Sequence, residues 1–176
     1  GMHRFMWDLH STPLPRKKPA FGMDAVPFNT APNYTSPWVV PGTYTVKLTA
    51  DGNSSTQPLV VRMDPRVKTT AEGLARQFTL SMQMSDDLRL VNAALDEFGL
   101  LHNAKYEGIA GRAEEEEDEP PRRVDVPDTL TTVAESLKTL FEALQSADVA
   151  PTAQMDAAVA DEHRAAEAIM KRWEGR

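Results

Sequence analysis

The polar residues best spaced to bind a metal ion lie near the carboxyl end of the chain. They are Asp161, Glu162, His163 and Glu167, and on a helix His163 and Glu167 are one turn apart. The set lacks both the two-histidine spacing of a helical zinc site and the Glu-x-x-His order of di-iron sites in helical bundles. We therefore predict no metal site and no other cofactor in this chain.

A run of acidic residues occupies positions 114–119 and supplies nearly all of the net charge of −7. Paired carboxylates can act as acid and base in glycoside cleavage, but that chemistry requires a fixed separation across a cleft. The run lies between Gly111 and Pro120 and lacks the spaced ligands of a calcium loop, so we expect a solvated connector. Because the rest of the chain is almost neutral, no basic patch is expected, and nucleic acid is not a predicted partner.

The sequence contains no recognisable catalytic nucleophile. The chain has no cysteine, and no Gly-x-Ser-x-Gly motif is present. The histidines are interpreted as surface or partly packed residues: His3, His10, His102 and His163. No apolar run approaches the roughly 20 residues that span a bilayer, so no membrane partner is predicted. These observations predict that the chain has no catalytic residues of its own.

The remaining candidates for chemistry are aromatic residues in the proline-rich segment 10–41. Aromatic rings can stack on sugars or contact a protein partner, so Tyr34 and Trp38 are the candidate contact residues. The same rings could instead cover a small core. The sequence leaves both interpretations open.

These residues need elements to position them, and residues 1–66 are predicted to form a β element with a long loop. Alternation over residues 3–9 predicts a strand that turns Phe5, Trp7 and Leu9 toward the core. Alternation over residues 42–64, interrupted by turn-forming residues 51–53, predicts a β-hairpin. Pro58 has no amide hydrogen, so its nitrogen should point away from the partner strand or the residue should lie at a bulge.

Residues 67–176 are predicted to be helical. Thr69 and Glu72 have the spacing of a capping box, so a long helix should begin there and continue to about Tyr106. The acidic connector, at about 108–127, should end this helix because it contains glycines and a Pro-Pro pair.

Two shorter helices should follow the connector. Asp128 or Thr129 can cap the second helix, which should end near Ala147, and Pro151 or Thr152 should open the third. Apolar residues recur at spacings typical of helix faces along all three segments: Leu80, Met84, Leu88, Val91, Leu95, Phe98; Leu130, Val133, Leu137, Leu140, Phe141, Leu144; Met155, Val159, Ala166, Ile169, Met170, Trp173. The predicted fold is α+β, with a small antiparallel β element followed by an antiparallel three-helix bundle.

Several short segments carry a family resemblance: Trp7-Asp8-Leu9, Pro41-Gly42-Thr43-Tyr44-Thr45-Val46, Thr56-Gln57-Pro58-Leu59, Asp64-Pro65-Arg66 and Ala150-Pro151-Thr152. Along nearly its whole length the chain resembles the C-terminal, non-propeller region of bacterial sortilin-like BNR/Asp-box glycosyl-hydrolase-like proteins. The resemblance implies a β-propeller upstream, a truncated immunoglobulin-like sheet here, and a secreted or periplasmic parent protein. No Asp-box motif, Ser-x-Asp-x-Gly-x-x-Trp, is present, so the resemblance assigns no active-site residue to this chain.

The combined expectation is a noncatalytic C-terminal accessory or interaction module of a glycosyl-hydrolase-like propeller protein. The alternative is a glycan-binding or glycoside-hydrolase-related enzyme fragment that uses the loop aromatics and carboxylates. A sheet of two or three strands with an open edge tends to pair with another chain. The predicted partners are therefore a second copy, bound through the β part, or the upstream propeller.

Overall fold

The computed structural model describes residues 4, 5, 7–14, 36–110 and 128–174, with side chains described outside 100–110 and 128–129. Its elements are β1 (Gly42–Ala50), β2 (Asn53–Val61), α1 (Ala71–Ala110), α2 (Asp128–Gln145) and α3 (Ala153–Glu174). A two-stranded antiparallel sheet is thus followed by three helices, which confirms the predicted α+β class. The immunoglobulin-like character of the sheet stays a prediction.

Strands β1 and β2 form the predicted hairpin, joined by a two-residue turn. Asp51 and Gly52 both have positive φ, 49° and 80°, which gives the backbone twist that the tightest hairpin turns require. The strands pair in continuous register from Ala50 opposite Asn53 to Gly42 opposite Val61. Pro58 lies opposite Thr45 without a bulge. Counted from the hydrogen-bonded pair Ala50–Asn53 at the turn, Pro58 and Thr45 form a non-bonded pair. The Pro58 nitrogen therefore points away from β1, as predicted.

The prediction of a strand over residues 3–9 is wrong. The described residues of this segment are not in a strand, Phe5 is 89% exposed and Leu9 is also exposed, so neither faces a core. The described residues before Leu9 pair with neither β1 nor β2, and Leu9 itself has a φ of 63°, a left-handed conformation that ends the extended alternation there. Trp7 is the exception, because its ring is half-buried and lies edge-on to that of Tyr44 at 5.6 Å between centroids.

The first residue of helix α1 is Ala71, two residues after Thr69, the predicted cap. The Gly73 amide donates to Thr70 Oγ1 at 3.1 Å, so Thr70 rather than Thr69 caps the helix. Thr69 instead donates its hydroxyl hydrogen to the carbonyl of Asp148 and thereby ties the start of α1 to the link between α2 and α3. Helix α1 extends through Ala110, so residues 108–110 of the predicted connector are helical, and residues 111–127 lie outside the described part.

The two later helices lie close to their predicted bounds. Helix α2 ends at Gln145, two residues before the predicted end. At the start of α3 the Met155 amide donates to Thr152 Oγ1 at 3.2 Å, so Thr152, one of the two predicted alternatives, is the cap.

Each helix contacts the other two. Residue numbers increase along α1 and along α3 in the same direction through three contacts, which shows that the two helices run parallel. The contacts are Arg76 with Asp156, Asp87 with His163, and Phe98 with Trp173. The start of α1 meets the end of α2 through Gln77 and Leu144, and the short link between α2 and α3 reverses the chain.

The core lies between the helices and matches the predicted apolar stripes. The most deeply buried apolar side chains include Met84, Val91, Leu130, Leu137, Phe141 and Val159. Burying a side chain of this size contributes about 1.5–3 kcal/mol. Leu14, from the predicted loop, joins the same cluster, so part of the N-terminal segment packs on the helices.

The segment between the hairpin and α1 is held by a local ion pair. The Arg66 guanidinium donates to both carboxylate oxygens of Asp64, with Nη2 to Oδ2 at 2.6 Å and Nε to Oδ1 at 3.0 Å. This bonding lowers the pKa of Asp64 and raises that of Arg66. The pair is exposed and so contributes little to stability, while the Val67 amide closes the turn by donating to the Asp64 carbonyl at 3.0 Å.

Candidate functional site

The hairpin presents an apolar face that the described helices leave uncovered. The register places Tyr44, Val46 and Leu48 on one face, with Leu59 opposite Tyr44. Val46 is 51% exposed and Leu48 is 67% exposed, whereas Tyr44 is half-buried beside Trp7. Within the described part of the chain, neither strand lies in contact with α1, α2 or α3. We call Tyr44, Val46, Leu48 and Leu59 the hairpin face.

Of the two predicted contact residues, the structure describes Trp38, and Tyr34 lies outside the described residues. The Trp38 ring is 47% exposed and stacks on the His10 ring, with centroids 3.7 Å apart and planes tilted by 35°. Its backbone is held from two sides. The Ser11 amide donates to the Pro37 carbonyl and the Val39 amide donates to the Leu9 carbonyl, both at 2.9 Å. The Trp38 amide donates to Gln145 Oε1 at 2.8 Å.

A small cleft lies beside Trp38, between the loop residues 38–41 and the helices. Its cavity volume is about 30 Å³, which is room for one or two water molecules and too little for a sugar ring. Among the described residues that line it, Asp148 is the one carboxylate. The pair of fixed carboxylates that glycoside cleavage needs is therefore not found among the described residues of this cleft.

A buried amide network anchors the floor of this cleft, and the sequence interpretation missed it. Gln77 donates its side-chain hydrogens to two carbonyls. One is that of Leu144 in the last turn of α2, where carbonyls lack a partner within the helix, and the other is that of Ala147, which also accepts from the Val149 amide. Gln145 accepts from Trp38 and donates to Ser81 Oγ at 2.7 Å. Ser81 in turn donates to the Gln77 carbonyl at 2.8 Å. The network joins the Trp38 segment, α1 and α2.

A second polar cluster joins α1 to α3. His163 Nδ1 lies 2.8 Å from Asp87 Oδ2, and its Nε2 lies 3.5 Å from Glu167 Oε1. The Asp87 side chain is buried, and burial raises the pKa of its carboxyl, although the hydrogen bond and charge of His163 oppose this shift. Asp161, which we grouped with His163 from the sequence, instead pairs with Arg164.

The cavity beside Asp87 and His163 has a volume of about 280 Å³ and is lined partly by the apolar side chains of Leu90, Ala166 and Met170. No hydroxyl or thiol lies among its described lining residues, so a serine- or cysteine-type nucleophile beside the imidazole is not found there. Within the described ranges no group of three His, Cys, Asp or Glu side chains is arranged to hold a metal ion. The described geometry of this cluster is that of a hydrogen-bonded histidine–aspartate pair between helices.

Of the other histidines, the structure describes the side chain of His10, whose Nδ1 lies 3.4 Å from Asp8 Oδ2. His10 lies beneath Trp38, His102 lies on α1 with its side chain outside the description, and His3 is outside the described residues. Among the described residues, no helix is long and apolar enough to cross a bilayer.

Comparisons with known proteins give no match to a family model, a curated protein or a solved structure. Function must therefore be argued from the geometry of the hairpin face, the Trp38 segment and the Asp87–His163 pair.

Proposed function

We propose that this chain is a noncatalytic accessory module of a glycosyl-hydrolase-like propeller protein and that it binds a protein partner through the hairpin face. The observation that carries this proposal is the exposure of apolar side chains on an element that no described helix contacts. A partner could bury this face without disturbing the helical core. The sequence resemblance supports the upstream propeller as one partner, and the open sheet supports a second copy as the other.

The energetics favour burial of this face. Full burial of a fully exposed side chain of this size contributes about 1.5–3 kcal/mol. Val46 and Leu48 are 51% and 67% exposed, so a partner could gain about half to two-thirds of that from each. A two-stranded hairpin alone is marginally stable in water, and it gains stability when its apolar face packs against another surface. Both effects act in the same direction, so the hairpin face suits assembly better than solvent.

The test compares two leucines that are both more than half exposed. Leu48 lies on the hairpin face and Leu90 lies on α1. We expect Leu48→Lys to abolish binding of a propeller that covers the hairpin face, because the covered surface would then meet an unpaired charge. The same change should weaken self-association by replacing an apolar side chain, and Leu90→Lys should change neither interaction. Sedimentation measures self-association, and titration with the parent protein's propeller domain measures the second interaction.

The proposal is overturned if the chain neither self-associates nor binds the propeller, or if Leu48→Lys changes neither interaction. Far-UV circular dichroism of both variants checks that the helices remain folded. Hydrolysis of chromogenic glycosides by the purified chain would contradict the noncatalytic assignment.

The second candidate function is glycan binding at Trp38, which is favoured by the exposure of its ring and the fixed position of its backbone. His10 occupies one side of the indole, so a sugar would stack on the other. Saturable quenching of tryptophan fluorescence by oligosaccharides, lost in Trp38→Ala, would support this candidate. Its absence would leave protein binding as the function.

A further inference from the structure

The two edges of the hairpin differ in their ability to accept another strand. In a hairpin with a two-residue turn, the pair next to the turn is hydrogen-bonded and bonded pairs then alternate with non-bonded ones. Ala50 and Asn53 flank the turn, so the odd-numbered residues of β1 and the even-numbered residues of β2 direct their backbone groups outward. The Thr49 and Ser54 side chains, 2.8 Å apart between hydroxyl oxygens, are close together as a non-bonded pair requires.

Proline blocks one of these edges. Pro58 occupies a central outward position on β2 and has no amide hydrogen to donate, so a strand added there would lose a ladder hydrogen bond. The outward positions of β1 all carry amide hydrogens: Thr43, Thr45, Lys47 and Thr49. No backbone group in the described part of the chain, other than those of the hairpin itself, bonds to them. The β1 edge is therefore the one suited to strand addition.

The geometry points to a second copy of this chain on the β1 edge, with the two β1 strands antiparallel and Val46 opposite Val46 of the second copy on a twofold axis. This inference rests on the proposed function and specifies its partner. The register follows from three conditions on β1: outward residues must meet outward residues, apolar residues should meet apolar ones, and like charges should not be opposed.

Only the register centred on Val46 satisfies all three conditions with every residue of β1 paired. It places Tyr44 opposite Leu48 of the second copy and Lys47 opposite Thr45 of the second copy. A register centred on Lys47 would oppose two lysines, which is destabilising. A register centred on Thr45 would leave Thr49 and Ala50 unpaired.

The product is a four-stranded sheet in the order β2, β1, β1, β2, with the hairpin faces of both copies on the same side. Three or more strands with an apolar face reach a stability that an isolated hairpin does not. The sheet ends on both sides at β2, where Pro58 blocks further addition. The assembly therefore closes as a dimer with twofold symmetry rather than growing into a filament.

Single cysteines test the register, because the natural chain contains none and any disulfide must join two copies. Paired residues in either type of antiparallel pair have Cα separations that a disulfide can bridge. We expect Val46→Cys to oxidise mainly to a covalent dimer on a nonreducing gel. Thr45→Cys, Lys47→Cys and Thr56→Cys, each tested alone, should remain mainly monomeric.

Preferential dimerisation of Thr45→Cys or Lys47→Cys would overturn the register, and that of Thr56→Cys would overturn the choice of edge. A second measurement needs no substitution. With increasing protein concentration the amides of Thr45 and Lys47 should become protected from hydrogen exchange, while those of Thr56 and Val60 should not. Absence of both results, with Leu48→Lys still blocking binding to the propeller, would refute the dimer and leave the proposed function intact.

Discussion

Asp87 is the one charged residue among those described that is buried in the helical region. Its neighbours set its ionisation. Burial raises the pKa, while the hydrogen bond from His163 lowers it, and the charges of Glu167 and Asp86 act in the same direction as burial. Because the net shift is upward, the folded protein holds the Asp87 proton to a higher pH than the unfolded chain does.

This shift predicts how Asp87→Asn changes the free energy of unfolding with pH. The stability that protonated Asp87 contributes is fully present below the unfolded-state pKa and is lost as pH rises through the raised folded-state pKa. Asparagine can still accept the His163 hydrogen bond but never ionises. Relative to the natural protein, the variant should therefore gain stability as pH rises through that window, as measured by denaturant titration at several pH values.

Asp161→Asn is the matched control, since Asp161 is an exposed aspartate that pairs with Arg164 and is not among the groups that shift the pKa of Asp87. Its effect on stability should be small. A pH dependence in the Asp161→Asn variant equal to that of Asp87→Asn would contradict the assignment to Asp87.

Sequence periodicity predicted the core residues of the helices well but did not reveal the pairs that join helices. The local spacing of His163 suggested Glu167 as its partner, whereas its shorter contact is to Asp87, 76 positions earlier. A signal for the amide network did exist. Gln77, Ser81 and Ser85 are buried polar residues spaced by four, so they form a polar row beside the apolar one on α1.

Helix α1 contains three glycines, and the surroundings of two of them, Gly73 and Gly99, differ in a way that gives a prediction about this element. A Cβ at Gly73 would lie 2.9 Å from the Ala150 Cβ, whereas a Cβ at Gly99 would meet no atom within 4 Å. Gly73→Ala should destabilise the fold by about 1–3 kcal/mol, because the start of α1 would be forced from the link between α2 and α3. Gly99→Ala should stabilise it by about 0.5–1 kcal/mol through helix propensity.

Thermal unfolding followed by far-UV circular dichroism measures both effects. The two variants differ from the natural chain by the same methyl group, so each is the control for the other. An increase in melting temperature for Gly73→Ala would contradict the close packing of α1 on the link.

Alternation of apolar and polar residues predicted one β element correctly and another wrongly. Alternation predicted the hairpin correctly because residues that tolerate positive φ, Asp51 and Gly52, lie at the turn. The same alternation failed at residues 3–9, where Leu9 adopts positive φ with no sequence signal for it.

For α1, adjacent threonines at positions 69 and 70 offered two possible caps, and the tertiary bond from Thr69 to Asp148 decided between them.

The segments outside the helices differ in whether they contact the helices. The hairpin makes no contact with them, whereas the segments around Leu14 and Trp38 are fixed to them by packing and hydrogen bonds. An assembly through the hairpin would therefore leave the helical core unchanged. The N-terminal segments, in contrast, should respond to any change at the end of α2.

Gln145 is the residue through which that response can be measured. Its side chain bonds both the Trp38 amide and the Ser81 hydroxyl, so Gln145→Leu leaves the Trp38 amide without its acceptor, while Ser81 keeps its bond to the Gln77 carbonyl. We expect a loss of about 1–3 kcal/mol in the free energy of unfolding and a change in the near-UV circular dichroism of Trp38. Gln154→Leu, at an exposed position on α3, should change neither quantity.

Because the hairpin does not contact the described part of the helices, the disulfide yield of Val46→Cys should be the same with and without Gln145→Leu. A large fall in that yield would show that the hairpin depends on the Trp38 segment.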